Sequence, residues 1–316
     1  MDTNFNAEGG GTRGEFKNEQ GPDSYVIQEE LLPPVNEFKR FVKVFFKRKV
    51  VLIGFVLLML ILIVAALADI IAPFDPYAQD LMNTLANPSG THLFGTDAIG
   101  RDLLSRLIHG SRVALAVGVS TVLVSAAAGT LIGLIAGYAE GILQSLIMRF
   151  TDALMAIPPL VLSIIIARIL MLGVPGVVLS VGITLLPGYI RLINGQVMSI
   201  KQNDYVLAAR SMGATRTRIM LKYILPNCLS PLIVQMTMMI GVSILIEASL
   251  SFLGMGILPP TAAWGGLAYD GYRYLLSKPL LSIAPGVAIM LLAFAFNMVG
   301  DGLRDALDPK LRGTSS

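Results

Sequence analysis

VVLIGFVLLMLILIVAALA, residues 50–68, runs for 19 residues without a charge. A stretch of this kind spans a bilayer, because about 20 mostly apolar residues are needed to cross the hydrocarbon with every peptide group paired inside the helix. Five further segments meet the same requirement. Val113–Ala139 is uncharged for 27 residues and Pro279–Gly300 for 22. Ala153–Leu172 carries only Arg168, and Val177–Val197 carries only Arg191 near its end. Between those two, Gly173-Val174-Pro175-Gly176 reads as a turn. Tyr223–Ile246 is uncharged, and its apolar pattern continues past Glu247 to Leu253. The fold class is therefore all-α: a polytopic membrane helix bundle with six transmembrane helices.

Composition agrees. Of the 316 residues 54% are hydrophobic and 14% charged, against about a quarter charged in soluble domains. This excludes an ordinary cytosolic enzyme and a disordered chain. The net charge of +3 implies no affinity for nucleic acid. Cys228 is the single cysteine, with His92 and His109 the two histidines, so a disulfide framework is excluded and no metal ligands are expected.

Basic residues set the orientation. Lys39, Arg40, Lys43, Lys47, Arg48 and Lys49 crowd the first span, and residues 198–222 hold Lys201, Arg210, Arg216, Arg218 and Lys222 against the single acid Asp204. Both clusters stay in the cytoplasm by the positive-inside rule. Six spans then place both termini inside, where Lys310 and Arg312 fit, and residues 69–112 and 254–278 outside, with Trp264, Tyr269, Tyr272 and Tyr274 suited to an outer interface. Residues 1–36 hold seven acids and two bases and read as a disordered cytoplasmic tail. The first apolar run starts too late and is too long for a cleavable signal peptide, and reads as a signal anchor. Residues 37–112 form the first transmembrane helix and an extracytoplasmic loop; residues 113–316 form the core.

Thr121, Ser125, Gly129, Gly133 and Gly137 recur every four residues and make one small-residue stripe on the second span. Such a stripe lets two helix backbones approach closely in lipid; it would also suit a pore lining. Asp97, Arg101, Asp102, Arg106 and Arg112 alternate in sign outside the membrane, with Asp102 and Arg106 spaced as an i,i+4 pair. They read as an outer helix that braces the bundle. Asp301, Arg304, Asp305 and Asp308 read as anchors of the last span. Arg168 and Glu247 each lie about 24 Å up a span from its cytoplasmic start, and their opposite charges make them candidates for a bridge within the bundle. Arg191 snorkels toward the cytoplasm.

In the segment before the fifth span, Tyr205–Met212 reads as a short helix with Gly213 as its stop. A second short amphipathic helix carries Arg216, Arg218 and Lys222, and Pro226 marks entry to the next span. A compact helix pair of this kind suits docking into another protein's groove; a basic interfacial loop is the plainer alternative. The segment resembles the E-A-A-x3-G-x9-I-x-L-P coupling motif of ATP-binding cassette importer permeases. Ala208, Ala209, Gly213, Leu225 and Pro226 match at the required spacing, while Leu207 stands in place of Glu and Tyr223 in place of Ile. Phe94–Arg106, Glu247–Gly254 with Pro259-Pro260-Thr261 and Trp264-Gly265, and Phe296–Pro309 are similar to the dipeptide and oligopeptide branch, in its C-type subunit.

The resemblance implies a permease subunit of an ATP-driven importer of dipeptides or oligopeptides in the cell membrane. Its implied partners are a homologous permease, two ATP-binding cassette subunits and an extracytoplasmic solute-binding protein. Coupling to the ATPases would fall at about residues 205–222, on Tyr205, Ala208, Ala209, Gly213 and Arg216 with Leu225 and Pro226. Arg168, Glu247, Asp97, Arg101 and Asp102 are structural or gating candidates. No catalytic residues and no cofactor are expected: the chain has no G-x-x-x-x-G-K-[ST] loop, and Gly9–Gly14 lacks the lysine. The same signatures occur in nickel and metal-chelate importers. A secondary transporter would carry inverted repeats, and none is visible. A membrane scaffold would need no coupling motif.

Overall fold

The computed structural model describes residues 37–307 other than 140, 171 and 172. The tail, Asp308, Lys310 and Arg312 lie outside the described residues. Contacts divide the chain into a unit of residues 1–40 and one of residues 41–316; the contacts below are all within the second. Among the described residues the regular elements are all helices, joined by loops of which 72–102 is the longest, and the one bridge is Thr96 with Asp102.

The short α1 (Glu37–Phe45) precedes α2 (Lys49–Ala66), which is the first expected span. Its Gly54 lies against α12 (Leu280–Leu307), where a Cβ would meet Met298 Cβ at 2.4 Å. After a turn of helix, α3 (Ala68–Ile71), the chain crosses a loop to α4 (Leu103–Tyr138). The 36 residues of α4 make a rod of about 54 Å, longer than the hydrocarbon is thick. It starts ten residues before the expected span because Asp102 caps it: its carboxylate accepts from Ser105 N at 2.8 Å.

The third span departs from expectation. Ala153–Leu172 does not form one helix: α5 (Ile142–Met155) and α6 (Pro159–Leu170) meet at 96°. The physical reason stands in the sequence, since Pro158 and Pro159 withhold two amide donors and disfavour helix before them. The fourth span is α7 (Val174–Ile200), and α8 (Asp204–Ser211) follows. From Arg216 to Phe252 the chain is continuously helical: a single turn, α9 (Arg216–Arg218), a π-turn at Ile219–Ile224, then α10 (Leu225–Phe252). The expected second amphipathic helix is thus the N-terminal extension of the fifth span. Pro226 has no amide to donate to the helix, and a π-turn is one place where such a break is absorbed. The short α11 (Trp264–Tyr272) leads to α12.

The stripe on α4 is a packing surface. A Cβ on Gly129, Gly133 or Gly137 would lie 2.4, 2.8 or 2.6 Å from the Cβ of Tyr189, Ile193 or Val197. These residues step along α7 four apart, so two backbones run side by side with no room between them. Trp264 does not sit at an interface. It is 4% exposed, its ring fills the space beside Gly110, and its Nε1 donates to Leu107 O at 2.9 Å. An indole buried this way needs its N–H satisfied, and the α4 backbone supplies the acceptor. Asp305 pairs with Arg48 at 3.1 Å, tying the ends of α12 and α2.

Candidate functional site: the α8 knob and the outer brace

α8 is held on one side and bare on the other. Val206 and Ala209 are 3% and 2% exposed. Val206 shares an apolar cluster with Val197 and Ile200 of α7, Ile219 and Ile224 of the π-turn, and Cys228 of α10. Tyr205, Leu207, Ala208 and Met212 are exposed. The helix ends as its sequence dictates: Gly213 has φ +80, its amide donates to Arg210 O at 3.0 Å, and Ala214 N donates to Ala209 O at 3.1 Å. That pair of bonds closes the last orphan carbonyls, with a glycine in the left-handed region. Thr215 then caps the next turn, its Oγ1 accepting from Arg218 N.

The Tyr205 hydroxyl accepts from Asn227 Nδ2 at 3.3 Å and from Asn203 Nδ2 at 3.4 Å, pinning α8 to the start of α10. Neither asparagine has a role in the sequence reading; an amide one residue past a helix-entry proline is the available signal. Leu225 and Pro226 begin α10 directly under this clamp. Arg216 stands exposed on the single turn after Gly213. Tyr205, Ala208, Ala209, Gly213, Arg216, Leu225 and Pro226 thus lie on α8 and on the turn and helix start that follow it.

The charged residues before α4 form a second assembly. Asp97 accepts the amides of Ile99 and Arg101 at 3.0 Å each and Arg101 Nε at 2.6 Å. Arg106 does not pair with Asp102 in the i,i+4 manner expected. Asp102 lies outside the helix as its cap, bonded to Ser105 Oγ at 2.8 Å and His92 Nδ1 at 2.9 Å. Arg106 turns instead to Pro76 O at 2.9 Å and stands 3.8 Å from Asp97. All four of Asp97, Arg101, Asp102 and Arg106 are under 9% exposed, so this is a buried network and not a solvated helix face. Gly100, at φ +80, admits Asp80 where any Cβ would stand 1.8 Å from its carbonyl oxygen.

Arg112 reaches back to the end of α2, donating to Ala65 O at 2.5 Å and Ala66 O at 3.0 Å. It also pairs with Asp69 at 2.9 Å. The hydrogen bonds from Arg112 and then His109 hold the Asp69 carboxyl below the usual carboxylate range. A cavity of about 180 Å³ opens beside Asp97 and Arg101, bounded by Asp270, Arg273 and Tyr274. Burial pushes the Asp270 carboxyl upward, against the opposing pull of Arg101 and Arg106.

The expected bridge from Arg168 to Glu247 is not formed. Glu247 is 3% exposed and accepts from Ser251 Oγ at 2.7 Å; Ser251 Oγ in turn accepts from Ile257 N at 3.1 Å. Arg168 is exposed in the last turn of α6, beside Gly173, Gly254 and Met255. The expectation counted residues from Ala153 as though the helix were straight, and the 96° bend removes that common depth. Arg191 does not simply extend into water; it pairs with Asp152 of α5.

Residues 129–313 match the family model described as the binding-protein-dependent transport system inner membrane component, and the chain belongs to that family. Residues 37–88 match the N-terminal transmembrane domain of oligopeptide transport permease C. The chain is 41% identical over 285 residues to the dipeptide transport system permease protein DppC of Haemophilus influenzae, covering 88% of this chain and 96% of that one. It is 42% identical to the di/tripeptide permease DppC of Pseudomonas aeruginosa, covering 88% and 93%. It is 41% identical to the glutathione permease GsiD of Escherichia coli O157:H7, covering 91% and 94%. Among solved structures, the inward-facing MetNI methionine ABC transporter shares the fold, with TM-score 0.54 and 19% identity over 65% of this chain and 98% of that one. The chain is a multi-pass permease component of the inner membrane.

Proposed function

We propose that this chain is the translocation subunit of an ATP-driven importer of small peptides. The observation that carries the reading is the α8 corner. Its inner face packs through Val206 into the apolar cluster of α7, the π-turn and α10, with Ala209 also buried, and its outer face is bare. A push on Ala208, Leu207 or Tyr205 bears on the buried Val206. It passes through Val206 to α7, and from α7 to α4 along the glycine seam.

In this reading ATP-binding subunits seat on residues 205–222, and their closure favours one of two arrangements of the spans. A ligand shifts such an equilibrium only by its differential affinity for the two states, and nucleotide bound by the ATPases supplies that difference. Gly213 fixes where α8 stops, Tyr205 clamps it, and Arg216 offers a charge to the partner. Leu225 and Pro226 join the corner to α10. The basic segments lie inward, both termini are cytoplasmic, and the buried network at Asp97 to Arg106 faces outward. There it holds the approach for a solute-binding protein. Hydrolysis belongs to the ATP-binding partners, and a homologous permease completes the path. Peptides of two or three residues are the substrate class supported by the names of the dipeptide, di/tripeptide and glutathione relatives.

The test is uptake by proteoliposomes holding the co-expressed complex and its solute-binding protein. Labelled dipeptide should accumulate only with ATP inside, and a nickel chelate should not compete. Uptake driven by a proton or sodium gradient without ATP would overturn the reading, and accumulation of the chelate in place of peptide would overturn its substrate.

A further inference from the structure

Between α8 and the ends of α4 and α7 lies a groove of about 690 Å³, which Leu207 of the bare face also borders. Its walls are Tyr138 and Ala139 at the end of α4, Lys201 at the end of α7, and Arg210 and Arg216 on the corner; Val206 and Ile219 form an apolar floor. Among the described residues, no acid lines it. Lys201 donates to Gly137 O at 3.3 Å, and neither Arg210 nor Arg216 has a side-chain partner among the described residues. Asp204, the one acid of this segment, stands in the first turn of α8 outside the lining.

We propose that this groove binds the phosphate headgroup of an anionic phospholipid. The inference rests on the inward orientation given above. Two of the groove's walls are ends of spanning helices, so it opens at headgroup depth, where the negative inner leaflet attracts juxtamembrane cations. The Arg210 guanidinium offers forked donors to phosphate oxygens beside the Lys201 ammonium, Arg216 at the rim being left to the ATP-binding partner; Tyr138 suits the interface, and the apolar floor accepts glycerol and the upper acyl chain. An acidic side chain of an ATP-binding subunit would satisfy the cations but not the floor. One lipid held here joins α7, α8 and the following turn, so transmission through the corner depends on the lipid.

The test uses the full chain, purified with whatever subunits accompany it, in nanodiscs and by native mass spectrometry. Dioleoylphosphatidylglycerol is the probe, and dioleoylphosphatidylcholine the comparison. Phosphatidylglycerol should remain bound selectively. Lys201→Gln and Arg210→Gln should each weaken it about fivefold, with size-exclusion profile and helicity unchanged, while Arg273→Gln on the outer cavity leaves it untouched. Equal retention of the two lipids, or no response to either inner variant, overturns the proposal. Displacement by millimolar inorganic phosphate would reassign the groove to a free anion. Crosslinking of Lys201 to an ATP-binding subunit with loss of the lipid would reassign it to that protein. If no ATP-binding subunit co-purifies, the function above is in trouble, but the lipid measurement on the chain still decides this point.

Discussion

Replacing Gly213 isolates backbone conformation from packing at the corner of α8. Its φ is +80, and a Cβ added there would find nothing within 4 Å. A side chain therefore clashes with no neighbour, and the whole cost is that of holding an L-residue in the left-handed region, about 1–2 kcal/mol. Gly213→Ala should show this cost in full. Gly213→Asn should show less, because asparagine tolerates that region through local hydrogen bonding. The strain falls on two bonds, Gly213 N to Arg210 O and Ala214 N to Ala209 O. Hydrogen exchange at these amides should accelerate about 5- to 30-fold in the alanine variant, with amides in the middle of α4 and α7 unaffected. Peptide uptake per ATP hydrolysed should fall in the same order, alanine below asparagine below wild type. Unchanged exchange in Gly213→Ala, or an asparagine variant as impaired as the alanine one, would refute the argument that the left-handed glycine sets the end of α8.

Three further outcomes follow from the packing and the charges. Gly133→Ala should destabilise the purified protein by about 1–3 kcal/mol through overpacking, since its Cβ would lie 2.8 Å from Ile193 Cβ, whereas Gly188→Ala, with nothing within 4 Å, should leave the melting temperature unchanged. Asp97→Ala should cost about 3–5 kcal/mol by leaving Arg101 and Arg106 buried without their carboxylate; the double variant with Arg101→Met should recover part of that loss in a thermal melt. Asp270→Asn should raise the melting temperature at neutral pH. The raised carboxyl binds its proton more tightly folded than unfolded, so wild-type stability falls as pH climbs from the ordinary carboxylate range through the raised value. The gain should vanish near pH 4, and an equal gain at both pH values would contradict the burial argument.

Length and hydrophobicity made most of the bundle legible in the sequence. Five of the expected spans have a helix of the right kind, because a run such as residues 50–68 has no other stable way to lie in a membrane. The four-residue recurrence of small residues on α4 named a close helix contact, and the structure supplied its partner, α7. The Gly213 stop was legible because only one local conformation makes a glycine useful there. What failed was anything needing the path of the chain. Residues 153–172 read as one span on apolar composition alone, without regard to Pro158-Pro159, and the error in depth carried over to Arg168. Asp102 and Arg106 have the spacing of a helical pair, but Asp102 is a cap and not a helical residue, so spacing alone misassigned it. Trp264 has the chemistry of an interfacial residue; only the gap over Gly110, made by a helix 150 residues away in sequence, turns it inward.

The continuous helix from Arg216 to Phe252, 37 residues long, measures about 55 Å by its rise. With the π-turn as pivot it would be a lever, its short arm the corner beside α8 and its long arm the 28 residues of α10. A tilt of about 5° about the π-turn would sweep its far end sideways by roughly 4 Å, taking the 28 residues of α10 as the arm at 1.5 Å each. A small rotation imposed at one face of the membrane is thereby converted, by length alone, into a displacement at the other that is wider than a water molecule.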